Sequence, residues 1–169
     1  MPEKTYENFP LWIPTLAILI SLSVYAIGAY ILSGFGILFS VLYLLYCLWV
    51  ELRVIQMSCV NCYYYGKVCA FGKGKLCSLF FKKGDPKMFL AKKISWVQIL
   101  PDFLVFILPL VGGIILLVMG FSWILAGLLA LLTVIFLGGT GFIRGSCACK
   151  FCKQRELGCL AEKLFSKRK

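Results

Sequence analysis

The sequence predicts an all-α integral membrane protein with four transmembrane helices and a cysteine-rich metal-binding cap. Two observations lead to this fold class. The chain of 169 residues is 61% hydrophobic, with a mean hydropathy of +0.91, and it contains nine cysteines but no histidine. A soluble domain of this length needs polar residues to cover its surface, so the composition favours a membrane protein. Without histidine the chain lacks Ser-His and Cys-His nucleophile pairs and histidine-ligated haem, which argues against an enzyme.

Four uncharged apolar segments account for the predicted helices. They are Leu11–Leu32, Phe35–Val50, Phe103–Gly120 and Phe121–Ile143. About 20 apolar residues cross the ~30 Å hydrocarbon layer, so three of the segments are long enough by themselves. The second segment has only 16 residues. We expect it to continue to Met57, with the charged end of Arg53 reaching toward water.

The spans divide the chain into five predicted regions. These are a cytosolic tail (1–10), the first two transmembrane helices (11–57), a cytosolic segment rich in cysteine and lysine (58–101), the last two transmembrane helices (102–143) and a cytosolic basic, cysteine-rich tail (144–169). Within the middle segment, Asp85 and Pro86 are typical of the N-cap and first position of a helix. The residues after them alternate between apolar side chains and lysines, which predicts a helix lying in the membrane interface.

The basic residues predict the orientation of the chain in the membrane. One lies before the first span, nine between the second and third spans, and eight after the fourth. The two remaining connections, around 33–36 and 119–123, carry no charge. The positive-inside rule therefore places both termini and the middle segment in the cytoplasm. Because cytosolic thiols are held reduced, cysteines grouped there are expected to be metal ligands or reactive thiols rather than structural disulfides.

Eight cysteines form two clusters, and all eight are candidate metal ligands. The first cysteine segment (59–77) contributes Cys59, Cys62, Cys69 and Cys77, and the second (147–159) contributes Cys147, Cys149, Cys152 and Cys159. Both contain the unit C-x2-C-x6-C, repeated at an offset of 90 residues that also relates the first and third spans. The pattern predicts two parallel copies of a helical hairpin followed by a cysteine unit. Cys47 lies inside the second span and is interpreted as a small buried hydrophobe.

Eight thiolates can supply two tetrahedral zinc ions, and the surrounding lysines would offset the negative charge of such sites. We therefore predict two zinc ions. An iron–sulfur cluster is the alternative, because its ligands are also cysteine thiolates. Three tyrosines at 63–65 and Phe71 could shield such a cluster from water, or they could be interfacial anchors.

Two resemblances accompany this prediction. In its spacing, the doubled unit resembles the binuclear zinc-cluster modules of fungal DNA-binding proteins, in which six thiolates hold two zinc ions. The resemblance covers two stretches of 11 residues in this chain, with about 80 residues between them. Four spans with a cytosolic cysteine-rich loop after the second are similar to the architecture of membrane palmitoyltransferases. The Asp-His-His-Cys run of that family is absent, so this resemblance implies architecture alone.

The expected function is that of a non-catalytic membrane protein. Its metal-stabilised, basic surface would face anionic lipid headgroups or a cytosolic protein partner, and nucleic acid is not expected as a partner. Homo-oligomerisation is left open. The alternatives are membrane electron transfer through an iron–sulfur centre and soft-metal transport. Transport would require an interrupted span, either at Pro109 with Gly112 and Gly113 or at the glycines at 138–141. The same glycines also suit close packing between helices.

Overall fold

The computed structural model describes residues 5–85 and 96–155, and every regular element in these residues is helical. The helices are α1 (Trp12–Ser33), α2 (Ile37–Met57), α3 (Lys73–Phe80), α4 (Trp96–Met119) and α5 (Trp123–Thr133). Four helical stretches are long and apolar enough to cross a membrane: α1, α2 with the turn that follows it, α4, and the run that begins with α5. The prediction of an all-helical chain with four such helices is confirmed.

The chain divides into two compact units. The cysteine-rich unit contains residues 5–18, 53–85 and 142–155, and the span unit contains residues 19–52 and 96–141. The predicted interfacial helix after Asp85 falls mostly on residues outside the described part of the chain, as does Cys159.

The second and third spans extend beyond their apolar cores. α2 continues past Arg53 to Met57, as the sequence led us to expect. α4 begins at Trp96 and passes through Pro101 and Pro109 without interruption. Pro101, the last residue of the predicted middle segment, therefore lies inside the helix, where its ring removes one backbone N–H donor near the helix start.

The fourth span changes its helical type along its length. After α5, Val134–Gly139 and Ile143–Ala148 are π-helical, separated by the single α-helical turn α6 (Thr140–Phe142). A π-helix bonds residue i to i+5 and so holds more residues per turn than an α-helix. Four glycines at 138, 139, 141 and 145 lie in this region, and their poor α-helix propensity lowers the cost of leaving the α-helical pattern.

Tyrosine hydroxyls satisfy backbone carbonyls inside the span unit. Pro109 has no N–H to donate to the carbonyl of Val105, four residues earlier, and the Tyr43 hydroxyl donates to that oxygen at 2.8 Å. The Tyr46 hydroxyl donates to the carbonyl of Pro101 at 2.9 Å. Because lipid offers no hydrogen bonds, the Tyr43 hydroxyl supplies to Val105 the donor that Pro109 lacks, and the Tyr46 hydroxyl makes an additional bond to a carbonyl of the same helix.

Glycines bring the helices of the span unit close together. A Cβ at Gly113 would lie 2.6 Å from the Leu129 side chain, and one at Gly112 would lie 2.8 Å from Leu32. At Gly28 it would lie 2.5 Å from the Tyr43 hydroxyl. Small residues at such positions allow helices to approach closely in membranes. The structure thus shows these glycines at packing positions of continuous helices.

We predict that Tyr43→Phe destabilises the span unit by about 1 kcal/mol, because it leaves the Val105 carbonyl without a donor in an apolar setting. The loss should vanish in a Pro109→Ala background, where the backbone N–H at position 109 can donate to the same oxygen. Unfolding free energies of the four proteins in one detergent measure this coupling. Equal costs of Tyr43→Phe in both backgrounds would contradict the explanation.

Candidate functional site

The first cysteine segment turns sharply as it leaves α2. Cys59–Asn61 form one turn of 3-10 helix, and the backbone N–H of Cys62 donates to the carbonyl of Cys59 at 3.2 Å. The chain then reverses through two glycines, Gly66 and Gly72, whose φ angles of 74° and 72° are left-handed. Glycine adopts this region without steric cost. α3 follows immediately and carries Cys77.

These turns bring the four cysteines of the first segment together. The Cys59 thiol lies within electrostatic range of the thiols of Cys62, Cys69 and Cys77. Cys77 is fully buried, and burial, followed by the neighbouring Cys69, raises the pKa of its thiol. The backbone N–H of Gly74 points at the Cys69 Sγ atom, 3.2 Å away. A backbone donor of this kind stabilises sulfur when it carries negative charge.

Gly74 closes the loop that holds these thiols. Its carbonyl accepts the Gly66 N–H at 3.0 Å, and the residue is buried. A Cβ at this position would overlap the backbone carbonyl oxygens of Tyr64 and Lys67. Glycine is therefore required by the close approach of two stretches of backbone rather than by an unusual φ angle.

The second cysteine segment contains a 3-10 turn like the one at the start of the first. Cys147 is buried in the second π-helical stretch, while Cys149 is exposed at the start of a 3-10 turn, Cys149–Phe151. Cys152 ends that turn in an extended conformation, and its N–H lies 3.5 Å from the carbonyl oxygen of Cys149.

Tyr64 joins the two cysteine segments to the N-terminal segment. Its hydroxyl donates to the carbonyl of Tyr6 at 2.6 Å and accepts the backbone N–H of Lys153 at 3.0 Å. The Tyr6 N–H donates in turn to the carbonyl of Phe151 at 3.0 Å. Tyr64 is only 2% exposed, and burial raises the pKa of its hydroxyl to about 12. It therefore stays protonated and able to donate throughout the physiological range.

Gln154 makes a second connection between the cysteine segments. Its side chain is buried, and its Oε1 accepts the backbone N–H of Tyr63 at 2.8 Å. A buried amide needs such a partner, because an unsatisfied polar group is costly in an apolar interior. Sequence reasoning identified neither Gln154 nor the role of Tyr64; the only signal was an uncharged polar residue among lysines and one tyrosine within a run of three.

Charged residues surround this junction. The Lys153 ammonium donates to Glu7 Oε1 at 3.0 Å, and the Lys67 ammonium donates to the Tyr63 hydroxyl at 3.1 Å. The hydrogen bond and charge of Lys153 hold the pKa of Glu7 below its ordinary value of 4.5. Glu7 and Tyr63 together raise the pKa of Lys153, and the hydrogen bond from Lys67 is the largest cause of a lowered pKa at Tyr63.

The cysteines are gathered but are not set around a point as metal ligands. Within residues 5–85 and 96–155, no group of three or more Cys, His, Asp and Glu side chains has an arrangement that could hold a metal ion. Cys152, from the second segment, lies within electrostatic range of the Tyr64 hydroxyl. Cys62, from the first segment, lies within electrostatic range of the same hydroxyl. The prediction of two zinc ions thus remains a prediction.

Comparison of the chain with models of known protein families, with functionally characterised proteins and with solved structures finds no match.

We predict that Gly74→Ala opens the loop around Cys77, because two carbonyl oxygens must move to admit the new Cβ. Overpacking of this kind costs about 1–3 kcal/mol. The alkylation rate of the buried Cys77 thiol in the native protein, located by mass spectrometry, should rise several-fold. Gly145→Ala is the matched control, since a Cβ there meets no atom within 4 Å. An unchanged rate at Cys77 in Gly74→Ala would contradict this packing.

The Glu7–Lys153 pair predicts a pH dependence of the N-terminal segment. The lowered pKa of Glu7 means that its contribution is present above pH 4.5 and is lost as the pH falls through the folded-state value. The raised pKa of Lys153 means that its contribution is present below 10.5 and is lost as the pH rises through its folded-state value. Between these limits, Glu7→Gln should slightly increase deuterium uptake of residues 5–9.

Lys153→Gln serves as the partner variant, and it should add nothing to the effect of Glu7→Gln. The difference between wild type and Glu7→Gln should fade on acidification, since wild-type Glu7 then becomes neutral as well. A difference that persists in strong acid would mean that the carboxylate charge is not its source.

Proposed function

We propose that the chain is a non-catalytic multi-pass membrane protein whose cysteine-rich unit binds zinc. The first ion would be held by Cys59, Cys62, Cys69 and Cys77. The observation that supports this most directly is that the Cys59 thiol lies within electrostatic range of the other three thiols of the first segment. Zinc would draw the four sulfurs to about 2.3 Å from one ion, which is the usual arrangement of a structural zinc site with four cysteine ligands.

The surroundings of these thiols suit a metal–thiolate site. A zinc ion with four thiolate ligands carries a formal charge of −2, and the Lys73 ammonium lies within electrostatic range of Cys59. The Gly74 N–H already donates to Cys69, as backbone groups commonly do around metal-bound sulfur. Burial of Cys77 disfavours its free thiolate, whereas coordination would supply the positive charge that stabilises it.

A second ion would be bound by the second segment, through Cys147, Cys149, Cys152 and Cys159. Backbone hydrogen bonds at positions 90 residues apart support this assignment. The carbonyl of Cys59 accepts the N–H of Cys62, and the carbonyl of Cys149 accepts the N–H of Cys152. Equally, the carbonyls of Cys62 and Cys152 accept the N–H groups of residues 65 and 155 at 3.1 Å and 3.0 Å. Two parallel repeats of hairpin and cysteine turn would produce this correspondence.

The role of the metal in this proposal is structural. The described cysteine segments consist of short turns and the eight-residue α3, which provide little core of their own. Metal binding supplies folding free energy in such segments. It would fix the turn after α2 and the turn at the end of the fourth span, from which the basic residues of both segments project.

The proposed orientation follows from charge. Seventeen of the eighteen Lys and Arg residues lie between the second and third spans or after the fourth. By the positive-inside rule, the cysteine-rich unit would therefore lie in the cytoplasm. Its basic surface would then face anionic lipid or a cytosolic protein. Both termini would lie on the same side, because the chain crosses the membrane an even number of times.

Electron transfer through an iron–sulfur cluster is the competing proposal, since the same four thiolates and the same N–H donor would serve it. Colour separates the two, because iron–sulfur clusters absorb visible light and zinc thiolates do not. Soft-metal transport is a further alternative that needs an interrupted span. Pro109 does not interrupt α4, where Gly112 and Gly113 lie at packing positions, whereas the glycines at 138–141 lie where the fourth span passes from a π-helical to an α-helical turn.

We predict about two zinc ions per chain in protein purified anaerobically in detergent, with no visible absorption band. Cys77→Ser should remove about one of them by elemental analysis, because a buried hydroxyl is a poor substitute for thiolate. Cys47→Ala is the matched control and should leave the zinc content unchanged, since Cys47 is buried within α2. Iron with acid-labile sulfide would favour electron transfer, and full zinc content in Cys77→Ser would contradict the assigned site.

A further inference from the structure

α3 exposes an apolar face. Leu76, Leu79 and Phe80 are 44%, 77% and 72% exposed, and their i, i+3 and i+4 spacing places them on one side of the helix. Gly74 and Cys77 of the same helix are buried. The side of a helix that faces water usually carries polar residues. α3 has only eight residues, and its exposed side carries three large apolar side chains.

The start of α3 lies against a membrane span. Gly72, its N-cap, packs on α1: a Cβ there would be 2.9 Å from the Cδ1 atom of Ile18 and 3.6 Å from the Cβ atom of Pro14. Ile18 is six residues into α1, or about 9 Å along the helix axis from Trp12. All of these residues belong to the cysteine-rich unit. The start of α3 therefore packs against the N-terminal part of α1, within about 9 Å of the first residue of that helix.

Lysines border the apolar face. Lys75 is exposed on α3, and Lys82 and Lys83 are exposed immediately after it. The sequence has no acidic residue between Glu51 and Asp85, so nothing within this segment neutralises them. Large apolar side chains beside lysines are typical of helices that lie in the interface of an anionic membrane.

We infer that α3 is an interfacial helix, with Leu76, Leu79 and Phe80 inserted among lipid acyl chains and its lysines bound to the phosphates of anionic lipid. The inference rests on the proposed function and deepens it, because it assigns the lipid-facing part of the basic surface to one helix. α3 also carries the buried Cys77, so the same eight residues would contact both the bilayer and the cysteine cluster.

The experiment uses the full chain in nanodiscs of phosphatidylcholine and phosphatidylglycerol. p-Benzoylphenylalanine replaces Leu79 on the apolar face or, as the matched control, Ser78, which is exposed on the same helix outside that face. After irradiation, mass spectrometry measures lipid adducts. We expect a several-fold higher lipid-adduct yield at position 79. Equal yields would overturn the inference, and adducts joining two copies of the chain at position 79 would replace it with self-association.

A second arm tests the lysines. Lys75, Lys82 and Lys83 are together changed to Gln, with the corresponding change to Arg as the charge-preserving control. The share of phosphatidylglycerol among adducts at position 79 should fall to its share in the bilayer with Gln and stay enriched with Arg. An unchanged enrichment with Gln would overturn the assignment of anionic lipid.

Zinc content is measured on every sample, so that a failure of the proposed zinc site can be distinguished from a failure of the interfacial-helix inference. Adducts at position 79 in protein without zinc would uphold the interfacial helix and contradict the metal site. Full zinc content with equal adduct yields at positions 78 and 79 would do the reverse.

Discussion

The cysteine-rich unit depends on the hydroxyl of Tyr64. This one oxygen donates to Tyr6 and accepts from the backbone of Lys153, so it holds three distant parts of the chain at a common point. Cys62 lies two residues before Tyr64, and Cys152 directly precedes Lys153. The hydroxyl thereby sets the relative register of the two cysteine turns. Because it is buried and its pKa is raised, the arrangement does not change with pH under ordinary conditions.

The spans could be predicted from sequence because the thickness of the hydrocarbon layer imposes one length on every apolar run. The extension of α2 past Arg53 could be predicted for the same reason, since a long side chain can bring its charge to water. The π-helical stretches could not. Glycine at 138 and 145 is equally compatible with close packing between α-helices, so these residues do not by themselves indicate the helix type.

In the candidate site, the gathering of the first four cysteines followed from their spacing, which is a local property. The junction between the segments did not. The bond from Tyr63 to Gln154 joins residues 91 positions apart, and hydrophobic periodicity cannot decide which of three consecutive tyrosines is buried. The exposed apolar face of α3 could not be predicted for a different reason: a helix of eight residues has too few positions for its apolar periodicity to be recognised.

The π-helical stretches of the fourth span have a consequence for how the chain tolerates change in length. Each accommodates an additional residue compared with an α-helix, so a one-residue deletion within Val134–Gly139 or Ile143–Ala148 can be absorbed by a return to α-helical bonding. The flanking residues then keep their rotational phase. A deletion that would twist an ordinary span by about 100° is thus confined to one turn. The fourth span can therefore lose a residue in either stretch without changing the direction in which the following cysteines point.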